Sequence, residues 1–332
     1  MGRLSDWLLR EVPGFAAPYE LIKFDTGQSN PTFRIKAASG DYVLRRKPGG
    51  TLLKSAHAVD REFRVQRALV DTGVPVPRML ALCTDDGVLG TMFYVMAHVE
   101  GRTLFDPTLP EHGPSCRAAI MDEMNRVLAA IHGVDPVGVG LEDYGPPGDY
   151  YARQLDRWTR QYRATETAAL RDMDRLIDWL TAHLPVDDGQ RRLVHGDYRL
   201  DNLMFGTDGT ACRAVIDWEL STLGHPLADL AGVLMQWHMP PGSEGRGLAG
   251  VDRAALGLPT DAEFVAAYCV RRGLDDIPDL RFALGFAFFR MGAILQGVKR
   301  RGLEGNASNP EQAARLGAQV PRFAELGLEA TS

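Results

Sequence analysis

One short segment holds the residues best suited to chemistry: His195-Gly196-Asp197-Tyr198-Arg199-Leu200-Asp201-Asn202, followed by the apolar Leu203-Met204-Phe205. Fifteen residues beyond Asn202 an apolar run ends in Asp217, within Val215-Ile216-Asp217-Trp218-Glu219. Two carboxylates and a carboxamide on loops beside apolar strands are what phosphoryl transfer from a nucleotide requires. That reaction needs charge neutralisation and positioning more than covalent help. A carboxylate can orient an acceptor hydroxyl and take its proton. An amide oxygen and a second carboxylate can hold Mg²⁺ against phosphates, because magnesium prefers hard oxygen ligands. Asp197, Asn202 and Asp217 supply that set. An isolated Asp and Asn would read as turn formers; here His195, Gly196 and the strand into Asp217 stand in register with them and favour the chemical reading.

The elements that must position these residues change character along the chain. Alternating apolar runs at 19–25, 32–38 and 42–46, separated by Gly, Asn, Pro and Ser turns, predict strands. A helix over about 60–72 is closed by Gly73 and the extended Val74-Pro75-Val76-Pro77. Two more strands flank Asp85-Asp86-Gly87, the second over 91–97. After Gly101 the apolar period becomes helical: Ile120, Met124, Val127, Leu128 and Ile131 mark one face, and Tyr151, Leu155, Trp158 and Tyr162 another. Leu170, Met173, Ile177, Leu180 and Leu184 mark a third, and Leu284, Phe288, Met291, Leu295 and Val298 a fourth. Thr260-Asp261-Ala262-Glu263 is a capping box. The expected fold class is α+β: a β-rich N-lobe over residues 1–97, a hinge near 97–101, and a helical C-lobe over 98–332 with one short β-hairpin carrying the chemistry.

The 332 residues carry 45% hydrophobic and 24% charged residues, the balance of a globular protein. A formal net charge of -6 argues against a general nucleic-acid binder. Cys83, Cys116, Cys212 and Cys269 are scattered and read as buried thiols in a reducing compartment. The apolar stretch in MGRLSDWLLREVPG is too short for a secretory signal. No run is expected to approach the ~20 apolar residues that cross a bilayer, so no membrane partner is expected and the expected location is cytoplasmic.

His-Gly-Asp-x-x-x-x-Asn followed by an Ile-Asp strand resembles the signature of aminoglycoside phosphotransferases and choline-kinase-like enzymes, which have a bilobal protein-kinase-like fold. The resemblance implies an ATP- and Mg²⁺-dependent phosphotransferase with Asp197 as catalytic base and Asn202 and Asp217 as metal ligands. It makes His195 an anchor of the loop and Asp229 a tie for the loop backbone. Arg199 occupies the place where protein kinases carry a lysine that touches the transferred phosphate; it is either such a cation or a surface arginine.

Strand alternation puts Val43 and Arg45 on one face. By resemblance Arg45 replaces the kinase lysine and pairs with Glu62 to clamp the ATP phosphates, a role a guanidinium can fill. Arg46 and Lys47 leave the register open by one residue, and a solvated edge cation is the other reading. The turn at Gly27, Ser29 and Asn30 would cover the phosphates through backbone N–H groups, or is a plain hairpin turn. At the hinge the resemblance gives Ala97 and Val99 the backbone groups that read the base. Met96 would pack on the ring, or is simply core.

Only eleven residues separate Asp217 from Asp229, too few for the activation loop of a protein kinase. A small-molecule acceptor follows. Arg153, Arg157 and Arg160 on one predicted helix, and Lys299, Arg300 and Arg301 at the end of another, suit an anionic acceptor or are solvated faces. The stretches at 27–32, 42–48, 153–162 and 294–298 resemble one branch, the kinase-like domains fused to acyl-CoA dehydrogenases. That branch implies phosphorylation of a hydroxyl on an acyl-CoA, such as a 4-hydroxyacyl-CoA, with a separate acyl-CoA dehydrogenase-type enzyme as pathway partner. The alternatives are a kinase for an aminoglycoside, choline-like compound or sugar, and a catalytically silent nucleotide-binding scaffold.

Overall fold

The computed structural model describes residues 2–24, 30–48, 58–207, 209–242, 246–307 and 309–332. The chain forms two compact units: one holds residues 1–104, 134–142 and 201–221, the other 105–133, 143–200 and 222–332. The sheet-bearing unit thus runs a few residues past the expected hinge and takes in the hairpin that carries Asn202 and Asp217.

The first unit opens with α1 (Gly2–Glu11), which strand patterning did not anticipate. Leu4, Trp7 and Leu8 recur at helical spacing and are its buried residues. They pack with Ile35, Leu44, Phe93 and Val95 on one face of the sheet, Trp7 meeting Phe93 edge-on at 4.7 Å. The sheet strands are β1 (Tyr19–Lys23), β2 (Thr32–Ala37), β3 (Gly40–Arg46), β4 (Met79–Cys83) and β5 (Phe93–Ala97), in the order β1-β2-β3-β5-β4. Every pairing is antiparallel. The other face carries α2 (Val59–Leu69), whose Val59 and Phe63 pack with Met79 and Tyr94. Asp85-Asp86-Gly87 begins a single turn, α3 (Asp86–Leu89), capped where Asp85 accepts from the Gly87 N–H at 2.8 Å. After β6 (Arg102–Thr103), the unit is completed by β8 (Leu203–Phe205) and β9 (Cys212–Val215), which join it in a small antiparallel sheet.

The second unit is mainly helical: α4 (Pro114–Gly133), α5 (Tyr150–Thr165) and α6 (Arg171–Ala182) precede β7 (Arg192–Val194). Then β10 (Thr222–Gly224), which pairs with β7, leads into α7 (Leu227–Trp237), α8 (Arg253–Leu256), α9 (Asp261–Arg272) and α10 (Arg281–Leu303). The closing α11 (Pro310–Ala318) and α12 (Val320–Ala330) were not anticipated. The capping box forms as read: Thr260 Oγ1 accepts from the Glu263 N–H at 3.1 Å, and Glu263 Oε2 accepts from the Thr260 N–H at 2.7 Å.

One expectation fails at α10. By length and composition this helix could cross a bilayer, yet 61% of its apolar window is buried inside the fold. Phe286, Phe288 and Phe289 pack with residues of α5, α6, α7 and α12, so the apolar run reads as the core helix of its unit. The four cysteines are free thiols; Cys83, Cys212 and Cys269 are buried.

Candidate active site

In the first unit the central group is Glu62. It lies on the buried face of α2, one turn before Gln66, and is 1% exposed. A carboxylate so placed must be met by donors, since unpaired buried charge is costly. Arg45 Nε stands 2.9 Å from Glu62 Oε2, a charge contact with the N–H aimed off the oxygen. Tyr94, directly opposite Arg45 in the β3–β5 register, donates its hydroxyl to Oε2 at 3.1 Å. The Asn30 amide donates to Oε1 at 2.8 Å. Burial pushes the Glu62 carboxyl above its ordinary value, and the Arg45 charge opposes that rise. Arg45 is itself held charged: burial disfavours the cation, but Glu62 and Asp217 outweigh it and raise its pKa.

The register left open by Arg46 and Lys47 is therefore resolved at Arg45. Its Nη2 also donates to Asp217 Oδ1 at 2.8 Å, so one guanidinium joins the helix carboxylate to the hairpin carboxylate. The hairpin explains how Asn202 and Asp217 come together. Leu203 pairs with Val215, and the Ile216 N–H donates to the Asn202 carbonyl at 2.9 Å. The two candidate ligands therefore end adjacent strands. Asn202 is buried. Asp217 adopts left-handed backbone angles, φ 65° and ψ 57°, which cost about 1–3 kcal/mol in a non-glycine residue and cluster at functional sites.

Of the remaining nucleotide-side residues, Gly27 and Ser29 lie outside the described residues. Asn30 is described, and its side chain turns inward to Glu62, a role sequence reading missed. Met96 is half-buried and packs on the Val59–Phe63–Met79–Tyr94 cluster. The Ala97 N–H donates to the Arg78 carbonyl at 2.9 Å and is engaged there. Val99 follows the end of β5 and is half-buried.

In the second unit the loop after β7 is bound down at successive peptides. The His195 and Gly196 N–H groups donate to the two oxygens of Asp229, at 2.6 and 2.8 Å. Gly196 has φ +83°, a conformation glycine adopts without a Cβ penalty, and it turns both donors to one carboxylate. The Asp197 N–H donates to His195 Nδ1 at 3.3 Å, and the Tyr198 hydroxyl donates to the Met124 carbonyl at 2.7 Å. Asp229 is fully buried. Burial pushes its carboxyl up, but the hydrogen bonds from His132 and the Gly196 N–H outweigh that and hold it below the usual range. His132, whose pKa burial lowers against the pull of Asp229, stands with Nε2 3.3 Å from Asp229 and Nδ1 2.7 Å from the Tyr268 hydroxyl. A neutral ring satisfies both contacts.

Asp197 itself is partly exposed, and Arg199 Nε lies 3.5 Å from its Oδ1. The two candidates are thus side by side. The arginine-rich face of α5 divides. Arg153 donates to the carbonyls of Pro147, Gly148 and Asp149 and holds the helix start. Arg160 forms an exposed pair with Asp156, the kind of contact that contributes little. Arg157 lies 5.4 Å from the Trp158 ring centroid.

A family model described as "Phosphotransferase enzyme family" matches residues 20–282. The chain belongs to this phosphotransferase family. Acyl-CoA dehydrogenase family member 10 of Mus musculus is 47% identical over 310 residues, covering 93% of this chain but 29% of that protein. The chain therefore spans under a third of that relative's length. A crystal structure from Ralstonia eutropha JMP134, provisionally assigned as an aminoglycoside phosphotransferase, superposes with TM-score 0.92 at 47% identity, over 99% of this chain and 97% of that one. The aminoglycoside phosphotransferase APH(4)-Ia, solved with AMP-PNP and hygromycin B, shares the fold at TM-score 0.64 and 15% identity, over 100% and 99% of the two chains. The phosphotransferase fold is protein-kinase-like, as its motifs imply.

Proposed function

We propose that the chain transfers the γ-phosphate of ATP, with magnesium, to an alcohol hydroxyl of a small molecule, and that this acceptor is a hydroxyacyl-CoA. The observation that carries phosphotransfer is Arg45 joined at once to Glu62 and Asp217. A buried, doubly paired guanidinium is a preorganised phosphate clamp, with its fork fixed before any nucleotide arrives. The fold neighbour's complex with AMP-PNP and hygromycin B supports a nucleotide donor and a small acceptor. The acyl-CoA class rests on the 47% identical relative and its name; a separate acyl-CoA dehydrogenase-type enzyme is then the expected pathway partner.

In this reading Asp197 receives the hydroxyl proton as the acceptor oxygen attacks phosphorus, and Arg199 offsets charge on the phosphoryl group. Asn202 and Asp217 fit magnesium because they offer hard oxygens from adjacent strand ends, and magnesium takes one or two such ligands with phosphates and water. No larger His, Cys, Asp or Glu cluster is required, and none occurs among the described residues. When bound, the ion would neutralise phosphate charge.

Coupled ADP release with hydroxyacyl-CoA esters, aminoglycosides, choline and sugars tests the acceptor. Saturable turnover with the esters alone supports the reading; turnover with a cationic or sugar acceptor alone replaces the acceptor, and ATP binding without turnover on any acceptor favours a silent scaffold. Arg45→Met is expected to lower kcat/KM for ATP on the order of 10²-fold, the scale of losing a preorganised donor. The same variant leaves Glu62 buried beside a neutral chain, so urea denaturation should record a loss of about 3–5 kcal/mol.

A further inference from the structure

Arg290 lies on α10, 94 residues from the loop it touches. Its Nη2 donates to the Gly196 carbonyl at 2.8 Å. That carbonyl belongs to the peptide linking Gly196 to Asp197. The other end of the same peptide, the Asp197 N–H, is held by His195 Nδ1. The preceding peptide is tied to Asp229 through the Gly196 N–H. Glycine is the residue least able to hold a direction by itself, so the orientation of Asp197 depends on what grips the planes on either side of Gly196. The guanidinium is in turn seated 5.6 Å from the Trp158 ring centroid on α5, a cation–π contact that limits its own movement.

Resting on the phosphotransfer reading, we propose that Arg290 is a positioning residue that fixes the Gly196–Asp197 peptide and so aims the Asp197 carboxylate. Asp229 holds the loop at its N–H side; Arg290 holds it at the carbonyl side from a different helix. Because α10 packs against α5, α7 and α12, the strut makes the aim of Asp197 depend on the helical core of its unit.

Arg290→Ala is to be compared with wild type by ADP release from Mg-ATP with a 4-hydroxyacyl-CoA, and by amide hydrogen exchange over residues 195–198. The expected result is a kcat lower by roughly 100-fold, the scale of a misplacement of about 1 Å. KM for ATP and the melting temperature should be unchanged, added guanidinium should restore part of kcat, and exchange over 195–198 should be faster. Arg10→Ala, which removes an exposed pair with Glu11, should match wild type. If the alanine variant does not fold, Arg290→Lys replaces it; the ammonium lacks the planar fork, so the same loss in kcat and faster exchange are expected at smaller size. Wild-type kcat in either variant overturns the proposal, as does a loss that guanidinium leaves untouched while exchange stays at the wild-type rate. If wild type phosphorylates no acceptor, the functional reading fails, and the exchange arm still decides the positioning: unchanged exchange overturns it.

Discussion

Asp197→Asn is expected to lower kcat by about 10²–10⁴-fold, the range of general-base assistance, with KM for ATP and thermal stability close to wild type. The carboxylate is partly exposed and lies 3.5 Å from Arg199 Nε, so the substitution removes a proton acceptor without opening the core. Asparagine keeps the shape and the loop bonds made by the backbone. Steady-state ADP release across acceptor concentrations checks it. Turnover equal to wild type would remove Asp197 from the base role.

The second large effect concerns stability. Asp229→Ala should destabilise the protein by roughly 1–3 kcal/mol for each of the two buried N–H groups it orphans, those of His195 and Gly196. Activity should fall with it, because the loop before Asp197 loses its anchor. Urea denaturation read by tryptophan fluorescence measures the first effect. The pH dependence has a definite sign. Asp229 is held below the ordinary carboxylate range in the folded protein. Its stabilisation is therefore fully present above the unfolded value near ~4 and is lost as pH falls through the lower folded value. In Asp229→Asn the acid limb of urea stability should be shallower than in wild type. An identical limb would show that Asp229 titrates as it does unfolded.

How much of this was legible in the sequence depends on how local each feature is. Asp197, Asn202 and Asp217 could be singled out as candidates because their chemistry fixes residue types at short spacing, and the hairpin pairing that aligns Asn202 with Asp217 follows from apolar runs on either side. The Thr260–Glu263 box was equally local. Arg45 and Glu62 needed the resemblance, since Arg46 and Lys47 obscure the strand register. Tyr94 and Asn30 were not recognised as partners of Glu62. Tyr94 meets it only because β3 and β5 place that ring opposite Arg45, and no property of residue 94 announces this. Helix α1 was overlooked because four apolar residues in ten, of which Leu9 faces outward, are a weak periodic signal. Arg153 looked like a charge displayed to a ligand but is consumed by three carbonyls of its own helix start; only coordinates reveal such an assignment. Helix α10 was legible from its Leu284–Val298 stripe, but that its small and apolar residues are packed on several sides was visible only in the fold.

The most direct test of the phosphotransfer claim is ³¹P NMR of wild type with Mg-ATP and a 4-hydroxyacyl-CoA, run beside Asp197→Asn. The account predicts that the γ-phosphorus signal of ATP decays as a phosphomonoester signal on the acyl chain grows, and that both changes slow by about 10²-fold or more in the variant. ATP that stays intact in the wild-type sample, or a phosphomonoester that forms at the same rate in both, would contradict it.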